Sequence, residues 1–262
     1  MLVLLPPSEG KTAPADGAPV DVAALVHDAE LGPVRARVLD ALVRLCAGRS
    51  RTRALDLLGL SPGLAGELDR NATLRDAPAG PAADVYSGVL YQHLDLGSLT
   101  PRARERAAER VLVASALWGV VRLEDRIPAY RLSIGATMPA LRRTLAATWK
   151  PALTAALPPE DLVVDCRSGG YAAAWKPAGG TLVAVRAFSQ AADGTRKPIS
   201  HMAKATRGDV ARLVAQARTD PRSPEDLATL VERSGRTVEL ARSGRPGAAG
   251  AATWTLDVIE TA

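Results

Sequence analysis

Leu2-Val3-Leu4-Leu5-Pro6-Pro7-Ser8-Glu9-Gly10-Lys11-Thr12 is the stretch on which the reading of this chain turns. Four consecutive apolar residues stopped by two prolines read as a buried strand that delivers a loop, because proline supplies no ladder donor and biases the residue before it to extended backbone. The loop then places a hydroxyl, a carboxylate and an ammonium within four residues: Ser8, Glu9 and Lys11. A lysine near the end of a buried strand pairs with phosphate or carboxylate, or acts as a base when it is desolvated. Gly10-Lys11-Thr12 invites a phosphate-loop reading, but that motif requires a glycine five positions before Gly10, where this chain has Leu5. A nucleoside-triphosphate cradle is thereby excluded, and a solvated surface turn is the plain alternative to an anion site.

Outward from this loop, Val34, Val38, Leu39, Leu42, Val43 and Leu45 recur at three and four, which predicts an amphipathic helix over residues 33–47. Two short helical patterns with a glycine-bearing turn, Leu57-Leu58-Gly59-Leu60-Ser61-Pro62-Gly63-Leu64, resemble a helix-hairpin-helix. Residues 72–83 read as a surface connection. Thr100-Pro101 and Ser223-Pro224 each open a helix with a hydroxyl cap and proline at the first position. Strands are expected at 111–116, 162–165, 181–188, 238–240 and 254–259, and helices at 139–157 and 200–217, the last carrying Met202, Val210, Leu213 and Val214 to the core. The expected fold is a mixed α/β (α+β) domain spanning 1–262, with an irregular central sheet, surrounding helices and a small helical insertion near 33–70.

At 262 residues the chain can bury a full core without staples. Its two cysteines, Cys46 and Cys166, are far apart and match no zinc spacing, and His27, His93 and His201 offer no ligand set, so no metal or other cofactor is expected. No signal sequence and no apolar run of about 20 residues is present, which points to a cytoplasmic protein away from membranes, expected as a monomer. The net charge of +5 permits phosphate-rich partners. Arginine and alanine abundance with scarce Phe, Ile and Asn is also what a GC-rich genome produces, so composition does not settle the partner.

Three further segments carry chemistry. Residues 118–132, from Trp118 to Leu132, concentrate Arg122, Arg126 and Arg131 with Glu124 and Asp125, so they form either arginine forks for an anion or a structural ion-pair network. Asp165-Cys166-Arg167-Ser168-Gly169-Gly170-Tyr171 lies where an apolar strand gives way to a glycine turn, a usual ligand position in α/β proteins. There Asp165 is a candidate general base and the backbone amides near Gly169 can receive an anion. Cys166 reads as a buried small side chain rather than a nucleophile, for want of a basic partner near in sequence. Finally, Ser200 can cap a helix whose first turns hold His201, Lys204 and Arg207, with Lys197 just ahead. Cations there oppose the helix macrodipole, so their clustering points to a bound anion, with a solvated basic face as the alternative. Gly208, on the same stripe as His201 and Lys204, would admit close approach of another segment or a ligand.

These segments together resemble the peroxide stress protein YaaA family, in its actinobacterial branch. The carriers are the first strand with Ser8 and Lys11, Val85-Tyr86-Ser87-Gly88, the blocks Leu117 to Arg122 and Pro128 to Gly135, and Lys204-Ala205-Thr206-Arg207-Gly208. The resemblance implies a compact mixed fold with a basic cleft and a helix-hairpin-helix, DNA binding, and protection against peroxide and iron-driven damage. The chain departs from the enterobacterial pattern at Pro7-Ser8-Glu9-Gly10-Lys11-Thr12 and at residues 165–171, which alters the polar site while keeping its frame. Two functions are therefore carried forward. One is a DNA-associated stress protein. The other is an enzyme acting on a small anionic substrate, nucleotide-like or from specialised metabolism, in which Lys11 and Asp165 share proton transfer. Ser8, Tyr86, Arg126, Tyr130, Arg131, Arg167, Ser168, His201, Lys204 and Arg207 form the candidate ligand-binding set.

Overall fold

A computed structural model of the protein describes residues 1–191, 195–198, 202–243 and 251–261. In chain order the elements are β1 (Leu2–Leu5), α1 (Asp28–Cys46), α2 (Arg51–Leu58), α3 (Gly66–Ala72), β2 (Gly80–Pro81), α4 (Ala82–Val85), α5 (Val89–Leu94) and α6 (Pro101–Arg110). There follow β3 (Val111–Ser115), β4 (Gly119–Arg122), β5 (Arg126–Ile127), α7 (Leu145–Ala156), β6 (Leu162–Asp165) and α8 (Gly169–Ala172). The last are β7 (Thr181–Gln190), β8 (Arg196–Pro198), α9 (Met202–Gln216), α10 (Pro224–Glu232), β9 (Thr237–Ser243) and β10 (Ala252–Thr261).

The apolar run that opened the reading is β1, the middle of the parallel core. It lies between β3 and β6, parallel to both, with Val3 opposite Val111 on one side and Val164 on the other. Val3, Leu4 and Leu5 have no exposed surface. Burying such a side chain is worth about 1.5–3 kcal/mol, which is why a strand of only four residues holds its place. The sheet runs β4-β3-β1-β6-β7-β10-β9, with β8 added beside β7. Its core from β3 through β10 is parallel. The antiparallel strands β4, β8 and β9 are additions to it. The fold is thus α/β with a central mixed sheet, and its irregularity is confined to these additions.

The topology also locates the crevice. After β1 the chain crosses toward β3, and after β6 it crosses the other way, toward β7. Adjacent parallel strands whose connections diverge leave a gap at their carboxyl ends, where open α/β sheets take ligands. Here that gap lies between Pro6–Lys11, after β1, and Cys166–Tyr171, after β6.

Several boundaries differ from expectation for identifiable reasons. Helix α1 begins at Asp28, five residues before the expected start, because Leu31 is fully buried and anchors the first turn. Pro33, read as a first helical residue, sits inside the helix, where it forfeits one backbone bond near the end. The expected helix over 139–157 is broken: a short 3-10 turn over Pro139–Leu141 ends at Arg142 in left-handed backbone (φ 56°), and α7 starts afresh after Thr144. The Thr144 hydroxyl accepts from the Ala147 amide at 3.2 Å, a cap that makes the second start favourable. The stretch 72–83 is no simple surface connection, since Leu74, Ala79 and Ala82 are buried and β2 pairs with β5. Met202, expected in the core, is 40% exposed, whereas Val210 and Val214 of the same helix are buried. Ser200, the expected cap, lies outside the described residues.

The predicted hairpin-like pair near 51–70 takes the form of α2 and α3, separated by a left-handed Gly59 (φ 65°) and a 3-10 turn over Pro62–Leu64. Thr100 and Ser223 cap α6 and α10 as read, the latter in a reciprocal capping box with Asp226. Replacing Ser223 with Ala is expected to cost about 1 kcal/mol in a urea melt.

Candidate functional site

Past the carboxyl ends of β1 and β6 lies a cavity of about 630 Å³. Its floor is the loop Pro6–Lys11, one wall is Arg131–Ile134, another is Ser168 and Tyr171, and α9 contributes Lys204 and Arg207. The turn Leu58–Leu60, at the end of α2, closes a further side. Among the described residues, four cations, Lys11, Arg131, Lys204 and Arg207, line it against the single carboxylate of Glu9. The volume falls within the roughly 300–1,000 Å³ of small-molecule sites.

The first loop is held by its own polar groups. The Ser8 hydroxyl donates to the Gly10 carbonyl at 2.5 Å and accepts from the Ser87 amide at 3.1 Å. Lys11 bridges to Tyr86 as an isolated antiparallel pair, and the Thr12 amide donates to the Val85 carbonyl at 2.9 Å. The Tyr91 hydroxyl donates to the Pro6 carbonyl at 2.8 Å. The backbone after β1 is therefore tied to the segment 85–91.

Lys11 turns its ammonium inward. Nζ donates to the Ser8 carbonyl at 2.7 Å and stands 4.1 Å from the centre of the Tyr130 ring and 5.5 Å from that of Tyr86. Burial, with the neighbouring Arg131 charge second, lowers its pKa from 10.5 to about 7, against the opposing pull of Glu67 and Glu9. The aromatic faces favour the ammonium, but by less than desolvation disfavours it. At neutral pH a substantial fraction of Lys11 is therefore a free amine.

Behind the lysine runs a buried chain of hydroxyls. Ser115, at the end of β3, accepts from the amides of Leu117 (3.2 Å) and Trp118 (2.9 Å), which uses both its lone pairs. Its proton is therefore given to the Tyr130 hydroxyl, 2.7 Å away, which in turn meets the Tyr86 hydroxyl at 3.0 Å. Burial pushes both phenols well above their ordinary range, so they remain protonated donors.

Arg131 is positioned by its backbone. The buried Asn71 side chain of α3 accepts from the Arg131 amide at 2.9 Å and donates to its carbonyl at 2.7 Å. The guanidinium then reaches Glu9 at 3.1 Å. Lys204 and Arg207 arrive by another route. A Cβ on Gly208 would lie 2.2 Å from the Leu90 carbonyl oxygen, so only glycine lets α9 approach α5 this closely and bring its cations to the cavity. Gly208→Ala is expected to cost about 1–3 kcal/mol in thermal or urea unfolding, as overpacking does.

Of the residues singled out from the sequence, Ser8, Lys11, Arg131, Ser168, Lys204 and Arg207 line this one cavity. Tyr86 and Tyr130 stand behind Lys11 and do not line it. The structure does not bring Asp165 there as a base. Both carboxylate oxygens are engaged by the Arg167 fork, at 2.8 and 2.9 Å, and the pair is almost wholly buried. Arg167 also donates to the carbonyls of Trp175 and Tyr171, so the pair shapes the turn that presents Ser168 and Tyr171 rather than facing a ligand. Arg126 is likewise elsewhere, donating to the Ala79 carbonyl at 2.7 Å. His201 lies outside the described residues. The Cys166 thiol is buried, with its pKa pushed up to about 12, and is inert as a nucleophile.

Asn71 and Ser115 were not found by sequence reasoning, and Tyr171 figured only as the end of the glycine-turn segment, outside the candidate ligand-binding set. Asn71 and Ser115 sit in otherwise ordinary helix and strand ends and give no local signal, whereas Tyr171 directly follows the glycine pair and was legible as a wall residue. Among the described residues no group of three or more His, Cys, Asp or Glu is placed to hold a metal ion. Nor is any helix among them long and apolar enough to cross a membrane.

The chain belongs to the family described as peroxide stress protein YaaA, whose profile matches residues 1–238. A UPF0246 protein of Streptomyces coelicolor is 44% identical over 265 residues, covering 99% of this chain and 98% of its own length. A UPF0246 protein of Corynebacterium efficiens is 41% identical over 92% of this chain and 95% of its own. Another, from Corynebacterium glutamicum strain R, is 37% identical over 91% and 95% respectively. The range matched by the family profile contains all the residues described here as lining the cavity, from Pro6 to Arg207.

Proposed function

We propose that the cavity binds a small anionic ligand, nucleotide-like or of specialised metabolism, and that Lys11 exchanges a proton with it. The observation that carries this reading is the convergence of Lys11, Arg131, Lys204 and Arg207 on one cavity of small-molecule size. Three guanidinium or ammonium groups suffice to hold phosphate or carboxylate oxygens, and arginine forks do so with defined orientation. Lys11 has the different property of titrating near neutrality, which is what a general base or acid needs. Asp165 drops out of the proton transfer, since its oxygens are already taken by Arg167.

Thermal-shift titration of nucleoside monophosphates, sugar phosphates and di- and tricarboxylates tests this. A saturable shift is expected for at least one class, and Arg131→Ala or Lys204→Ala should weaken it about tenfold or more, the value of one charge-assisted hydrogen bond. If no anion shifts the wild type, the reading fails.

A second reading is supported by the basic charge and by α2, whose last residue Leu58 lines the cavity and whose Arg51 and Arg53 are exposed. In it the protein associates with DNA, protects against peroxide as the family description implies, and takes one extruded nucleotide into the cavity. A duplex is too wide for such a cavity, but a flipped nucleotide is not. Duplex and bubble DNA titrated at two salt concentrations discriminate: bubble preference with steep salt dependence supports the second reading, and no saturable binding at low salt removes it.

A further inference from the structure

Lys11 is poorly placed for a lysine whose task is to supply positive charge. Among the described residues its only hydrogen bond is to the Ser8 carbonyl, and none of their carboxylates forms an ion pair with Nζ. Arg131 is near enough to disfavour its charged form, as is Arg70, while Glu67 and Glu9 only partly offset them. The anion-holding work can be done by Arg131, Lys204 and Arg207, which line the same cavity. The Tyr130 face, 4.1 Å from Nζ, restricts the directions from which the amine can be approached and leaves the cavity side open. An amine enclosed among cations, on the wall of an anion cavity, is arranged to attack an electrophile carried by that anion.

We propose that Lys11 forms an imine with a small anion that bears an aldehyde or ketone, such as an oxo-carboxylate or a phosphorylated aldehyde. This rests on the anion-binding reading above and adds bond formation to it. The step balances without a redox partner. The Nζ lone pair attacks the carbonyl carbon, and one N–H proton passes to the carbonyl oxygen to give a carbinolamine. The hydroxyl then departs with the second N–H proton as water, leaving the C=N bond. Tyr171, which lines the cavity, and Tyr130 and Tyr86, behind the amine, are phenols that burial keeps protonated, so they cannot consume the electrophile as phenolates. The groups that face Lys11 and set its charge are Arg131, Glu67, Glu9 and Arg70.

The protein is incubated with glyoxylate or glycolaldehyde phosphate and sodium cyanoborohydride, then analysed by intact mass and peptide mapping. The expected result is one stoichiometric adduct on the peptide containing Lys11, at least tenfold faster than labelling of exposed Lys150 or Lys176. It should be lost in Lys11→Arg and Lys11→Ala, with folding verified by circular dichroism. Excess inorganic phosphate or oxalate should slow it. Binding of oxalate and phosphate is measured in parallel by thermal shift, so the two ideas fail separately. Binding without a preferred Lys11 adduct overturns imine formation and leaves the anion site standing. Absence of both binding and adduct overturns both.

Discussion

Arg167→Met is expected to destabilise the protein by about 3–5 kcal/mol, because it leaves the Asp165 carboxylate buried with no countercharge. The pair sits at the end of β6 with side-chain exposures of 3% and 5%, bonded at two points, so water cannot take the place of the guanidinium. Replacing both partners together, as Asp165→Leu with Arg167→Met, removes the stranded charge and should be much milder than the single change. Some loss remains, since the carbonyls of Trp175 and Tyr171 also give up a donor. Urea denaturation of the two variants at pH 7 measures the difference. A single variant as stable as the wild type would mean that Asp165 is solvated in solution. A milder double variant would identify the pair as a device that shapes the turn at 168–171 at some expense of stability.

The second large effect has the opposite sign. Lys11→Met should abolish anion-dependent chemistry and at the same time raise stability near neutral pH. The sign follows from proton counting. The folded state holds Lys11 at about 7 while the unfolded chain returns it to 10.5, so between these values the unfolded state binds more protons and stability rises with pH. Below about 7 the wild type carries the whole burden of a buried ammonium, and above 10.5 it carries none. Relative to wild type, Lys11→Met should therefore be more stable by roughly 2–4 kcal/mol at pH 6, after allowance for partial solvent access, with the gap closing toward pH 10.5. Chemical denaturation at pH 6, 8 and 10 tests this, and a pH-independent gap would show that Lys11 titrates normally. A substitution that stabilises the fold while removing reactivity is what strained functional groups produce.

How much of this was legible in the sequence depended on whether the signal was local. The four apolar residues before Pro6 identified β1, and the prolines after Thr100 and Ser223 identified two helix starts, because strand burial and capping are written within a few residues. That Lys11, Ser168, Lys204 and Arg207 could meet at one cavity was legible because each stands at a strand end or near a helix start, where α/β folds place ligands. Asp165 misled for an equally physical reason. A carboxylate at the end of a buried strand looks the same in sequence whether it faces a ligand or closes on an arginine two residues later, and only the burial of Arg167 decides. Arg126 belonged to a dense charged segment, but its partner is the Ala79 carbonyl, nearly fifty residues earlier. Asn71 was invisible because its function, holding both backbone groups of Arg131, is purely tertiary.

The position of β1 has one more consequence. Its two neighbours in the sheet are more than a hundred residues away in sequence, and the cavity beyond it draws on the loop after β1, the segment 131–134, the turn after β6, and α9. No part of the chain that could unfold by itself contains the whole set. A form opened at any of these segments has lost part of the cavity, so a ligand's binding free energy, RT ln(1 + [L]/Kd), is added to every opening that takes them apart. Slowly exchanging amides of β1, β3 and β6 should then all gain the same protection on saturation, whichever of them the ligand touches. Uniform protection of that kind would make hydrogen exchange a ligand assay that needs no knowledge of the reaction.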